Sequence, residues 1–449
     1  MLDDTPPMPT TNSLPAPPLW GPLLAAEYWL RPGAFLDRCE KLGERFLLKL
    51  PGSPPLVCTT SPADVRAIFT GDQTALHLGE AVKKMAPHEL VLGRSSLTVK
   101  DGEAHLRDRR RLNPHFAGTA LKAYESAMAT ATKQAMRAWP IGERVSFQRL
   151  MRRLTLDIII STVFGVGDPS RFARVREAVL RFLRVIGGLG FFTFSIVAVA
   201  RGGQWEGRHR RLRIAMAAVD ALVKEEIAER RGRGDLARED VLAVLLRLQA
   251  EHSAEMTDTT ICETMRTLLI GGYETTAASL AWTAERLARH PEVLEQLEDS
   301  VARGKDDYVD AVVAEALRVR TVFPFTARLV VKPFDLGGLP IEPGAMVAPF
   351  IALLHRRPDL YPDPLAFRPE RFLGKKPGTY TWIPFGGGVR HCLGGPFALL
   401  EMRVVLRTMF QQLRLRATTE PDEALARRNV TIVPGNGATV VLERRQNVC

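Results

Sequence analysis

The run Phe385-Gly386-Gly387-Gly388-Val389-Arg390-His391-Cys392-Leu393-Gly394 sets one cysteine in a glycine-rich loop just ahead of an amphipathic helix that opens near Gly395. A helix N-terminus offers unpaired N–H groups and the positive end of its dipole. Both favour sulfur as thiolate and are expected to lower the Cys392 pKa. Gly386, Gly388 and Gly394 lack a Cβ, so the backbone there can approach a flat macrocycle and adopt positive φ. The chemistry these residue types suit is axial ligation of a haem iron by Cys392. A lone cysteine is more often a structural core thiol, and on this segment alone that alternative stands.

A second constellation, Gly271-Gly272-Tyr273-Glu274-Thr275-Thr276, lies within an apolar-periodic stretch from about Asp258 to His290. As a helix that stretch would be about 50 Å long, in a chain whose folded radius of gyration is about 22 Å, so it must cross the interior. Adjacent glycines in mid-helix cost about 1 kcal/mol each relative to alanine. They suggest a groove in which a ligand lies against the backbone. Glu274 and Thr275 pair an acid with a hydroxyl and can hand protons to dioxygen held in that groove. The alternative is a packed Gly-Gly contact, with Thr275 bonded to its own helix.

With Ala398 and Glu401 following on the helix, the cysteine segment reads F-x-x-G-x-R-x-C-x-G and resembles the haem-binding segment of the cytochrome P-450 superfamily. The glycine-acid-threonine segment is similar to that family's oxygen-side helix. Glu315-Ala316-Leu317-Arg318 with Phe367-Arg368-Pro369-Glu370-Arg371-Phe372, and His105-Leu106-Arg107-Asp108-Arg109, match in the expected order, so the resemblance covers the chain from about Leu14.

The resemblance implies haem b with iron ligated by Cys392, and a bed that includes Phe385, Gly386 and Gly394. It makes Thr275 the oxygen-activating residue and Glu274 its acidic neighbour. Glu315, Arg318 and Arg371 form a buried structural network. His105 and Arg109, one helical turn apart, would meet one haem propionate and Arg390 the other, with Arg328 a fourth candidate. The chain departs from many members, which carry tryptophan where His105 stands. The implied activity is that of a soluble bacterial monooxygenase, which hydroxylates or epoxidises an apolar small molecule such as a terpenoid, steroid or fatty acid. It would use dioxygen and two electrons from a separate ferredoxin with its reductase. A peroxide-driven hydroxylase and a haem-thiolate sensor or carrier are the rival readings.

The elements around these residues agree. The chain has 449 residues, 46% hydrophobic and 25% charged, which suits a large core. Segments from His105 to Cys392 must meet one cofactor, so the expectation is a flexible tail over 1–13 and one haem-thiolate domain over 14–449. The pattern is mainly helical with small sheets, the haem lying between a long central helix and the cysteine loop. Extended runs are expected at Leu56 to Thr60, Phe325 to Val331 and Val430 to Leu442, the last interrupted by the turn Pro434-Gly435-Asn436-Gly437, with a helix at Pro62 to Thr70 and a surface loop at Arg231 to Gly234. The net charge of +11 has no zinc pattern or basic tail that would suggest nucleic acid. Arg107, Arg110, Arg111, Lys375, Lys376 and Arg403 instead flank the thiolate side, where an acidic ferredoxin could be steered. Dispersed solubility charge is the alternative.

The five cysteines have no framework spacing, which fits a reducing cytoplasm. The proline-rich start through Leu14-Pro15-Ala16-Pro17-Pro18-Leu19 contains no transmembrane anchor or signal peptide. The apolar run from Val185 to Ala200 is a candidate pocket lid, core helix or shallow membrane-docking segment. Phe323, Pro324 and Phe325 are further candidates for the pocket wall.

Overall fold

The computed structural model describes residues 10–187, 210–235 and 237–445. The helices are α1 (Gly21–Leu30), α2 (Pro32–Glu40), α3 (Pro62–Thr70), α4 (Leu78–Met85), α5 (His88–Leu92), α6 (Gly102–Leu112), α7 (Lys122–Met136), α8 (Phe147–Ile159) and α9 (Pro169–Ile186). They continue as α10 (Arg210–Arg233), α11 (Val241–Glu251), α12 (Asp258–Arg289), α13 (Pro291–Ala302), α14 (Asp307–Val319), α15 (Ile351–Leu354) and α16 (Gly395–Phe410). Their starts are written locally. Thr257 caps α12 by accepting from the Thr260 N–H at 3.2 Å. Asp168 caps α9 at 2.8 Å, ahead of Pro169 at the first helical position.

The central helix α12 packs against α8, α10, α14 and α16. From Thr276 to Ala288 it is buried on every side, which is why that stretch is apolar or small almost throughout. A mixed sheet runs β1 (Arg45–Leu48), β2 (Leu56–Thr59), β8 (Met346–Pro349), β5 (Arg328–Val330), β3 (Leu76–His77). Only β2 and β8 pair in parallel, with Val57 opposite Val347. Smaller sheets are β4 (Arg144–Ser146) with β12 (Thr439–Arg444) and β9 (Leu413–Leu415), the pair β6 (Phe334–Asp335) and β7 (Pro340–Ile341), and the hairpin β10 (Leu425–Arg428) with β11 (Thr431–Pro434). The architecture is mainly α with small sheets.

Three expectations shift. The turn Pro434 to Gly437 joins two different sheets, because β11 pairs with β10 while β12 pairs with β4 and β9. Arg231 to Arg233 is helical, since ion pairs from Arg231 to Asp258 (2.5 Å) and from Arg233 to Glu229 (2.9 Å) hold the last turn of α10, and only Gly234, at φ +65°, leaves it. Phe325 belongs to the core, its ring 5.5 Å from Phe350 and 6.0 Å from Tyr28. Of the run from Val185 to Ala200, residues 188 to 200 lie outside the described residues, as does the tail through residue 9.

Candidate functional site

Between α15 and α16 the chain crosses the molecule as a loop that ends at Cys392. Its backbone closes on itself, the Cys392 N–H donating to Phe385 O at 2.9 Å. Phe385 is wedged between Trp382 and His391, with ring centroids 6.1 and 6.2 Å away. Gly386 has φ +67° and open space where a side chain would start, and Gly394 likewise leaves open space. Gly388 serves a different end from the one its sequence position suggests. At φ +63°, a Cβ there would collide with the Phe69 carbonyl at the end of α3, so this glycine lets α3 pack on the loop and does not clear room for a macrocycle.

The thiol departs from expectation in one respect. Backbone N–H groups of Gly394 and Gly395 and the charge of Arg109 favour thiolate, yet burial outweighs them and the Cys392 pKa is raised. Its side chain nevertheless keeps free surface. A group that is both accessible and desolvated borders open space between packed segments, and a metal bound there would favour the thiolate.

Four cationic or titratable groups share that interior. His105, on α6, is 2% exposed, and its pKa falls to about 3 through burial and then the charges of Arg390, Arg109 and Arg328. Burial and the neighbouring Arg390 bring Arg328, on β5, down to about 9. Arg390 falls to about 10, with burial again the main cause. Arg109 is lowered by burial. Against them stands one acid, Asp101, which pairs with Arg390 while accepting from the N–H groups of Gly79 and Glu80 at 2.9 Å. Among the described residues Arg328 bonds only Thr326 Oγ1 and the Ala327 carbonyl, both at 3.0 Å. So many buried cations with one carboxylate among the described residues are short of negative charge. A macrocycle with two carboxylates, its iron at Cys392, fits this donor set.

The central helix runs unbroken through its glycines, and they divide the work. A Cβ on Gly271 would meet nothing within 4 Å, while one on Gly272 would stand 2.7 Å from Ile159 of α8. One glycine therefore opens the groove and the other packs. Thr275 Oγ1 donates to Gly271 O at 2.6 Å. Glu274 turns elsewhere, to Arg152 of α8 and Arg428 of β10, each at 3.3 Å, and no hydrogen bond joins it to Thr275 among the described residues. Burial raises its pKa against the pull of those arginines, and Oε1 lacks a hydrogen-bond partner among the described residues.

Glu315, Arg318 and Arg371 come together as expected. Arg318 grips Glu315 through two bonds of 2.7 Å and also donates to the His355 and Pro364 carbonyls at 2.8 and 2.7 Å; Arg371 reaches Glu315 at 3.3 Å. Side chains that sequence reasoning missed carry this network to the cysteine loop. His355 Nε2 accepts from the Ile383 N–H at 2.9 Å, which puts the ring proton on Nδ1, facing Thr321 Oγ1 at 3.3 Å. Trp382 Nε1 donates to Ala314 O at 3.1 Å and Tyr361 OH to Thr381 O at 3.0 Å. The only hint in the sequence is a single histidine after a strand.

On the loop's outer side, a cleft of about 400 Å³ is lined by Tyr380, Trp382, Phe385 and His391. Of the six basic residues assigned to that side, Arg107 and Arg111 pair with Glu255, and Arg403 with Asp310. Arg110, Lys375 and Lys376 are exposed and make no ion pair among the described residues.

Comparisons agree with this geometry. The family model described as Cytochrome P-450 matches residues 12–439. A putative cytochrome P-450 135B1 of Mycobacterium tuberculosis is 36% identical, covering 98% of this chain and 93% of that protein. A putative cytochrome P-450 137 of the same organism is 32% identical, over 95% and 90%. Among solved structures, a retinoic acid-bound cyanobacterial CYP120A1 superposes with a TM-score of 0.78 at 23% identity, over 96% of this chain and all of that one, a likeness of fold.

Proposed function

The chain belongs to the cytochrome P-450 family, and from that premise we propose that its residues 14–449 form one haem-thiolate domain that oxidises an apolar small molecule with electrons from a separate ferredoxin and reductase. It is a haem-thiolate monooxygenase, an oxidoreductase whose haem, held through a cysteine sulfur, supplies the dioxygen-activating chemistry. Hydroxylation or epoxidation of a terpenoid, steroid or fatty-acid-like molecule is the reading for its product chemistry.

The residue assignments rest chiefly on one observation: the largely desolvated set His105, Arg109, Arg328 and Arg390 holds more positive charge than Asp101 can answer. Two propionates would complete it, with neutral His105 donating a hydrogen bond and the arginines supplying charge. Cys392 is the ligand. Phe385, Gly386 and Gly394 form the bed beneath the ring. Thr275 borders the groove opened by Gly271 and can hold a proton donor there, while Glu274 feeds protons from the Arg152 and Arg428 side. Phe323, without Phe325, helps exclude water.

Cys392→Ser is expected to lose the red-shifted absorption of the reduced carbon monoxide complex. Retention of that band would assign the ligand to another residue. A screen of apolar compounds for the low-to-high-spin absorbance change, followed by product analysis, identifies the substrate. One observation favours a second reading: Thr275 is satisfied within its helix and Glu274 is ion-paired, as suits a peroxide-driven hydroxylase that needs no proton relay. Turnover on hydrogen peroxide alone, unchanged in Thr275→Ala, would favour it.

A further inference from the structure

Three of the large apolar side chains most open to water sit together on one short helix. Trp20, at the N-cap of α1, is 73% exposed, Leu23 56% and Leu30 80%. At about 100° per residue Leu23, the exposed Ala26 and Leu30 fall on one side of α1, with Leu24 buried on the other, and Trp20 precedes the first helical turn. Elsewhere, exposed apolar residues such as Ile214, Leu365 and Val430 are scattered singly, which is ordinary for a protein surface.

The rim of this stripe is cationic. Arg31 is exposed at its C-terminal end. Lys49 is exposed at the other, its carbonyl 3.1 Å from where a Gly21 Cβ would stand. Arg427 is not part of that rim: its guanidinium packs 3.9 and 4.0 Å from the Tyr28 and Trp29 ring centres, with Nε and Nη1 buried. The one acid of α1, Glu27, is already held by Arg38 through bonds of 2.8 and 2.9 Å.

A tryptophan at the edge, leucines beyond it and the exposed Arg31 and Lys49 at its two ends match an anionic bilayer surface, with apolar groups entering the acyl boundary and cations meeting phosphates. A second copy would bring like charges face to face across a two-fold contact. Ten residues cannot cross a bilayer, so the helix would lie along it. We propose that α1 docks this protein peripherally on an anionic lipid surface. Arg427 ties the β10–β11 hairpin to α1, and Arg428 of the same hairpin reaches Glu274 on α12, so the docked face stands one hairpin away from the central helix.

The test is flotation of the full holoprotein with vesicles of phosphatidylcholine alone or mixed with phosphatidylglycerol. Wild type should float with the anionic vesicles and be released by salt. Leu23→Ser with Leu30→Ser should weaken binding by about tenfold or more, and Arg31→Glu with Lys49→Glu should remove the preference for phosphatidylglycerol. Every one of these side chains is exposed, and an unchanged reduced carbon monoxide spectrum verifies the fold. Quenching of wild-type fluorescence by brominated lipid should shrink in Trp20→Phe. Wild type that stays in the aqueous phase with both vesicle types, or a double-serine variant that floats undiminished, overturns the proposal. So does a dimer in solution that the serine variant dissolves without any vesicle binding, which would make a second copy the occupant.

Discussion

Thr275 already has a partner, one turn back along α12, where the Gly271 carbonyl accepts its hydroxyl. Removing the hydroxyl therefore leaves no buried donor stranded, and Thr275→Ala should fold and hold haem as wild type does. Ferredoxin-driven turnover should fall on the order of 10²-fold, the scale of a lost proton-transfer group, while substrate still shifts the spin state. Product formation per electron measures this, and an undiminished yield removes Thr275 from the role. His355 makes a different prediction. Burial, then the Arg318 charge, lowers its pKa to about 3 from 6.5. An unfolded chain binds the proton first as pH falls, so the neutral ring's contribution is fully present above about 6.5 and is lost between 6.5 and 3, by about 1.4 kcal/mol per pH unit. Denaturant titrations at pH 7 and pH 4.5 should show His355→Ala less stable at pH 7 and less sensitive to acid. Equal slopes would mean that the ring does not titrate on unfolding.

Helix α14 acts on the cysteine loop from a distance, and the path is specific: Glu315 to Arg318, then the His355 carbonyl and ring, then the Ile383 N–H, nine residues before Cys392. Glu315→Ala would leave Arg318 and Arg371 without their buried carboxylate, at a cost of about 3–5 kcal/mol, and should yield protein that does not retain haem. Arg371, which reaches Glu315 by a single 3.3 Å contact, should cost less on truncation. Haem content of purified variants, read against their circular dichroism, ranks the two. Local features of this scale are legible in the sequence: α3 spans Pro62 to Thr70 and α12 ends at Arg289, where periodicity alone places an end near His290. Features set by distant partners are not. Phe69 is what demands glycine at 388, and Arg428 is what draws Glu274 away from Thr275. The rise in the Cys392 pKa comes from walls contributed by many segments, which no window around the cysteine contains.

Over the whole molecule 61 lysines and arginines face 50 acids, so ion pairing decides where the unpaired cations lie and not how large the excess is. On the loop's outer side, Glu255 and Asp310 take up Arg107, Arg111 and Arg403. What remains for an electron donor is Arg110 with Lys375 and Lys376, and the two lysines lie just before the segment that lines the aromatic cleft. If an acidic ferredoxin docks there, Lys375→Glu with Lys376→Glu should slow first-electron transfer by about tenfold at low ionic strength and by much less at high salt, since exposed charges are screened within about 10 Å at 0.1 M. Arg403→Glu should have a smaller effect on encounter, because its guanidinium is already spent on Asp310, and a larger one on stability, because it sets two carboxylates side by side. Stopped-flow reduction under carbon monoxide at two salt concentrations separates these cases. Equal slowing at both salts would mean that the lysines shape the loop and do not steer the donor.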